Sequence, residues 1–211
     1  MNSKRVLSMQ VGLLTLVAAG MSSVHAADDG FYLGASVGGA KANFDTGVLL
    51  AGAPAGTTFI NDTSKTGWKI FGGYQIDKYF GAELSYVDLG RYGFSGTVPP
   101  AAFSGNVKIN GWGLAATGTL PLDKGYSLFG KMGAFYSQEK VTATATFLGA
   151  SATANGTEGK WVAQFGLGVK YAINQNLSVR LEAERYQDMG SNDATVKADV
   201  SLYTIGLSYG F

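Results

Sequence analysis

The chain of 211 residues has no cysteine, one histidine, four prolines, and charged side chains at only 15% of its positions. Without cysteine there are no disulfides and no thiolate metal sites. The lone His25 leaves everything after it without the commonest general base and metal ligand. Charge is also scarce, because ordinary soluble domains carry roughly 25% charged residues. Beyond the amino-terminal segment no run approaches about 18 uninterrupted apolar residues, so no membrane-spanning helix is expected. A formal net charge of +1 gives no electrostatic case for nucleic acid as a partner.

What is present begins with Lys4 and Arg5, an apolar stretch through Val11, Leu13, Leu14, Leu16 and Val17, and the small-residue site Val24-His25-Ala26. That order is a secretory signal, with cleavage expected after Ala26 and residues 27–211 forming one domain. Cleavage removes the only histidine. It also takes Lys+Arg from 16 to 14 against 15 Asp+Glu, turning +1 into −1.

Period-2 alternation then recurs eight times. The expected strands are Phe31 to Lys41, Thr66 to Ile76, Tyr79 to Leu89, Lys108 to Leu120, Tyr126 to Ser137, Trp161 to Tyr171, Leu177 to Asp188, and a last strand from Ala198 to the end. The sixth is the clearest, with Trp161, Ala163, Phe165, Leu167, Val169 and Tyr171 on one parity and Gln164, Gly166, Gly168 and Lys170 on the other. In the last strand Tyr203, Ile205, Leu207, Tyr209 and the terminal Phe211 share a face, the pattern of a strand that closes an outer-membrane barrel. Phe129 and Phe135 break the pattern of the fifth strand.

Connections alternate between short (77–78, 121–125, 174–176) and long (42–65, 90–107, 138–159, 189–197), the rim asymmetry of short periplasmic turns and long extracellular loops. About 11 residues at roughly 3.3 Å each, tilted by about 40°, rise close to 28 Å, near the apolar band of roughly 25 Å. Alternation alone fits a soluble barrel equally well. The apolar parity, however, holds Trp68, Tyr74, Phe80, Tyr86, Trp112, Trp161, Phe165, Tyr171, Tyr203 and Tyr209, too much volume for the inside of eight strands. The expected fold is therefore all-β, an eight-stranded antiparallel up-and-down transmembrane barrel with its aromatics outward.

The stretch Phe71-Gly72-Gly73-Tyr74-Gln75-Ile76-Asp77-Lys78-Tyr79-Phe80-Gly81-Ala82-Glu83-Leu84-Ser85-Tyr86 resembles the second hairpin of the outer membrane protein A transmembrane domain family. Arg180-Leu181-Glu182 and Gly206-Leu207-Ser208-Tyr209-Gly210-Phe211 are similar to that family's last two strands. The resemblance implies a buried ionic network that blocks a continuous water channel, with Glu83 and Arg180 matching its partners, Lys131 a basic position and Glu182 an acidic one. Counting from the short turns puts these four at similar depth. The family's gating picture uses a second basic residue on the fourth strand, where this chain has Thr117. No proline-rich hinge or peptidoglycan-binding domain follows, so cell-wall tethering by this chain is not expected.

The functional expectation is a structural or surface-interaction role in the bacterial outer membrane, with a small gated diffusion pore or an adhesin acting through the loops as alternatives. Catalysis is not expected, since the barrels that acylate or deacylate lipid A use a histidine with a serine and an acidic residue. No cofactor or metal is expected. Lys41, Lys65, Lys108, Lys140, Lys160, Arg185 and Lys197 fall near the outer rim as a candidate contact for lipopolysaccharide phosphates. The other expected partners are outer-membrane lipid, the barrel assembly machinery and a surface ligand of the loops, with the barrel itself a monomer. A closed barrel of this kind will migrate differently on denaturing gels before and after boiling; identical mobility would count against the cylinder.

Overall fold

The computed structural model describes residues 30–44, 57–98, 100–189 and 198–211. Its strands are β1 (Gly30–Phe44), β2 (Thr58–Asn61), β3 (Ser64–Gln75), β4 (Phe80–Val98), β5 (Ala101–Pro121), β6 (Tyr126–Phe147), β7 (Ala150–Ala172), β8 (Leu177–Met189) and β9 (Ala198–Gly210). Eight of them close a ring of antiparallel neighbours, β1-β3-β4-β5-β6-β7-β8-β9, with β9 pairing back onto β1 from Tyr32↔Gly210 to Phe44↔Ala198. β2 is a four-residue strip added to β4 outside the ring. The expected signal segment lies outside the described residues, as do 45–56 and 190–197 within the first and last long connections.

Side-chain carboxyl and amide oxygens build two of the short turns. Asp77 Oδ1 accepts the backbone N–H groups of Tyr79 and Phe80, both at 2.7 Å, and Asn174 Oδ1 accepts those of Asn176 and Leu177 at 3.0 and 2.7 Å. These are local bonds that Asp and Asn make more readily than other residues, so the chain reverses where they stand. At the same rim Phe211 N donates to Phe31 O at 3.0 Å, tying the end of the chain to its first strand.

Directly paired residues fix the geometry of the cylinder. From Lys41 the row passes through Ser201, Arg185, Phe165, Met132, Ala116, Ala82 and Tyr74, and returns to β1 at Phe31, ten residues from its start. With about 3.3 Å per residue and about 4.8 Å between strands, a shear of ten over eight strands tilts them by about 41°. That is within the range of outer-membrane barrels.

Burial is inverted relative to a water-soluble protein. Leu167 is 72% exposed, Phe31 68% and Trp161 65%, while Lys69, Gln164 and Glu184 are at 0%, 0% and 2%. Only hydrocarbon outside makes that arrangement favourable, since roughly 25 cal/mol per Å² would otherwise drive those apolar side chains inward. Tyr203, Ile205, Leu207, Tyr209 and Phe211 all lie on this outer face. Phe129 and Phe135, which break the alternation of β6, are buried in the lumen.

The outer half of the lumen is filled by an apolar core that includes Val87, Leu89, Tyr92, Phe135, Tyr186, Met189 and Leu202. Two expected loops are different from an open connection. Residues 90–98 and 101–107 continue β4 and β5, and 138–147 and 150–159 continue β6 and β7, so that β4 to β7 run 19, 21, 22 and 23 residues. Leu148 and Gly149, with φ of 47° and 84°, make the tight turn between β6 and β7. β4–β7 therefore leave the membrane as one continuous sheet. β4 carries a bulge between Asp88 and Gly90, where Gly90 has φ of 92° and its N–H is held by Asp88 Oδ1 at 2.8 Å.

Gly38 lies on the β1–β9 seam, and a Cβ there would sit 1.7 Å from the Tyr203 carbonyl oxygen, whereas a Cβ at the neighbouring Gly39 would meet nothing within 4 Å. Gly38→Val is expected to lose about 3 kcal/mol or more of stability and the heat-resistant gel form, with Gly39→Val close to wild type. Urea unfolding in lipid vesicles measures both.

Candidate functional site

The inward parity of β3, β4, β6 and β8 brings six ionised side chains together at mid-barrel: Lys69, Glu83, Lys131, Arg180, Glu182 and Glu184. Lys131 Nζ, at the centre, lies 3.1 Å from Glu83, 2.7 Å from Glu182 and 2.5 Å from Glu184. Lys69 Nζ bridges Glu182 and Glu184 at 2.6 and 2.8 Å. Arg180 reaches Glu83 at 2.8 Å and Glu182 at 3.2 Å. Three cations meet three carboxylates, so the cluster is formally neutral.

Neutral groups complete it. Tyr32 Oη donates to Glu83 at 3.2 Å, and Gln164 Nε2 to Glu184 at 2.9 Å. The Arg180 guanidinium lies between the Phe71 and Phe129 rings, 4.3 Å from each centroid, which uses its flat faces while its edges bond carboxylates. Burying six charges is costly, and the close pairing offsets that cost only while every member has its partners.

Glu83, Lys131, Arg180 and Glu182, drawn from the family resemblance, all lie in this cluster. Lys69 and Glu184 are further members that the resemblance does not reach; the inward parity that Lys69 shares with Phe71, and Glu184 with Arg180 and Glu182, is the sequence signal that points to them. Thr117 stays apart, its Oγ1 buried with no hydrogen-bond partner among the described residues. The third cation comes instead from β3.

The seven rim residues divide. Lys41, Lys108, Lys140 and Arg185 are on the outer face. Lys65 has the parity of Lys69 and pairs with Asp62, and its hydrogen bond holds the Asp62 carboxyl below the usual carboxylate range. Lys160 has the parity of Val162 and Gln164, opposite Ser137 in the mouth of the barrel. Both therefore turn away from lipid, because one residue's shift along a strand reverses its face. Lys197 lies outside the described residues.

A closed, shear-ten ring with lipid-facing aromatics and a buried ionic lumen defines an eight-stranded integral barrel of the bacterial outer membrane. Residues 26–211 match the OmpA-like transmembrane domain, and the chain belongs to that family. Outer membrane protein A of Escherichia fergusonii is 28% identical over 202 residues, covering 94% of this chain and 54% of that protein. The Klebsiella pneumoniae protein of the same name is 27% identical over 190 residues, covering 87% and 52%. The chain thus spans about half the length of these relatives. Among solved structures, Neisserial surface protein A (NspA) has a TM-score of 0.51 at 19% identity, with 86% of this chain and 97% of that one covered. OprG from Pseudomonas aeruginosa also has 0.51, at 16% identity, with coverage of 89% and 97%. At that identity the likeness concerns the fold alone.

Lys131 touches all three carboxylates, so Lys131→Met leaves two cations facing three anions. A loss of about 3–5 kcal/mol is expected in urea unfolding from vesicles at neutral pH. Adding Glu184→Gln, which restores neutrality, is expected to recover a large part of it; no recovery would show that the charges do not act as one cluster.

Proposed function

We propose that this barrel is a non-enzymatic structural and surface-interaction protein whose lumen is closed to solutes. The observation that carries the reading is the double filling of the lumen. The neutral charge cluster occupies mid-barrel, and the apolar core around Phe135, Tyr186 and Leu202 fills the space above it. These two layers support a lumen without a continuous hydrated path, since small barrels of eight strands have room for side chains and little else. The lumen carboxylates are each held by cations, an arrangement that favours cohesion over proton transfer.

Interaction with the surroundings then falls to the sheet of β4–β7 beyond the membrane. Its upper strands, with residues 150–159 of β7 exposed along their whole length, offer backbone and small polar side chains such as Thr144, Thr153 and Ser151 to the outside. Exposed segments on a rigid scaffold are where binding usually resides. This supports the surface-interaction role over a purely passive one.

Planar-bilayer recording tests the closed lumen. Wild type and Arg180→Ala are both expected to be silent, because removing Arg180 leaves the apolar layer in place. Steady unit conductance in wild type would overturn the reading. Conductance in Arg180→Ala alone would favour a gated pore.

A further inference from the structure

Three cations occupy one cross-strand row on the outer wall. Arg91 on β4 is directly opposite Lys108 on β5, and Lys108 is directly opposite Lys140 on β6. Residues so paired project to one face about 5 Å apart, where like charges repel. Asp88 accepts Lys108 at 3.2 Å. Arg91 and Lys140 have no carboxylate partner among the described residues, so the row carries an unbalanced excess of positive charge.

Its height is set by the row beneath it. Tyr86, Trp112, Tyr136 and Trp161 are directly paired across β4–β7, with ring centroids 5.0 Å apart for Tyr86 and Trp112 and 5.2 Å for Tyr136 and Trp161. Such aromatics mark the interface where acyl chains give way to headgroups, and with the strand tilt both rows climb together from β4 toward β7. Lys108 and Lys140 stand four residues further along their strands, about 10 Å higher at about 3.3 Å per residue and about 40° of tilt. That is the level of phosphates on a lipid whose acyl chains lie against the belt. The other side of the barrel is different: Lys41 and Arg185 flank Ser201, and Arg185 is already paired with Asp199 at 2.5 Å.

We propose that Arg91, Lys108 and Lys140 form a one-sided site for the phosphate of a single outer-leaflet glycolipid of the lipid A class, with the aromatic row packing against its chains. The bound phosphate supplies the counter-charge that the row lacks, and Arg91 presents it with a planar fork of donors. The site is independent of whether the lumen conducts.

Native mass spectrometry of the detergent-solubilised barrel with bisphosphorylated lipid A tests it. Wild type is expected to retain one lipid, and Arg91→Ala, Lys108→Ala and Lys140→Ala each to weaken retention about fivefold, the size of one juxtamembrane cation's attraction. Lys41→Ala is expected to leave retention unchanged, and dephosphorylated lipid A not to be held. Each variant's boiled and unboiled gel mobility reports folding separately, since all three side chains are at the surface. Equal retention by the triple variant would overturn the proposal. So would equal retention of the dephosphorylated lipid, or a loss in Lys41→Ala as large as in Lys140→Ala, which would indicate a diffuse basic rim.

Discussion

In hydrocarbon no backbone N–H or C=O finds a water molecule, so the sheet must satisfy itself completely. The pairing of β9 with β1 meets that demand by removing the two edges an open sheet would leave. Much else is a consequence of closing eight strands with a shear of ten. The ring's narrow bore has room for only a few inward aromatics, such as Phe71 and Phe129 around Arg180, and the many others go to lipid. Glycines such as Gly38 become necessary where two backbones approach each other, and the tilt sets which residues of different strands share a depth.

The charge cluster depends on that last relation. Lys69, Glu83, Lys131, Arg180, Glu182 and Glu184 come from four strands and are distant in sequence, yet a single depth unites them. Polar groups in such a position gain little over well-packed apolar ones, but an unmatched member is severely penalised. A network of this kind therefore discriminates among registers more than it adds stability. A slip by one residue on β8 would turn Arg180, Glu182 and Glu184 toward lipid, leaving Lys69 unpaired and Lys131 with Glu83 alone, so the cluster disfavours wrong pairings of the ring.

Strand positions and the lipid-facing side were legible in the sequence because apolar and small residues alternate cleanly wherever a strand separates hydrocarbon from lumen. Above the membrane that contrast ends. The upper parts of β6 and β7 have no hydrocarbon on either face, so Thr142, Ala143, Thr144 and Ala145 alternate only among small residues, without the bulky apolar face of the membrane strands, and read as loop, although the ladder continues through them. The charge cluster was partly legible: parity places Lys69 inside, but only the shear brings it level with Glu182. For the rim, distance from the short turns gives height, but parity sets facing, and Lys65 and Lys160 have the inward parity of Lys69 and Gln164. The apolar upper core has no periodic signal of its own because its members, among them Val87, Phe135 and Leu202, sit on the parity that is polar lower down.

The bulge at Asp88–Gly90 shows how much a single residue can decide. Below it, even-numbered residues of β4 face lipid; above it, Arg91 faces outward and Tyr92 is buried at 2% exposure. Were Leu89 to continue the regular pairing without a bulge, the two would exchange places, bringing a guanidinium into the apolar upper lumen and a phenol to the outer wall. The bulge thus acts as a frame-shift written in geometry: outward residues are even-numbered before it and odd-numbered just beyond it, and the electrostatic sign of this flank of the barrel hangs on that one irregularity.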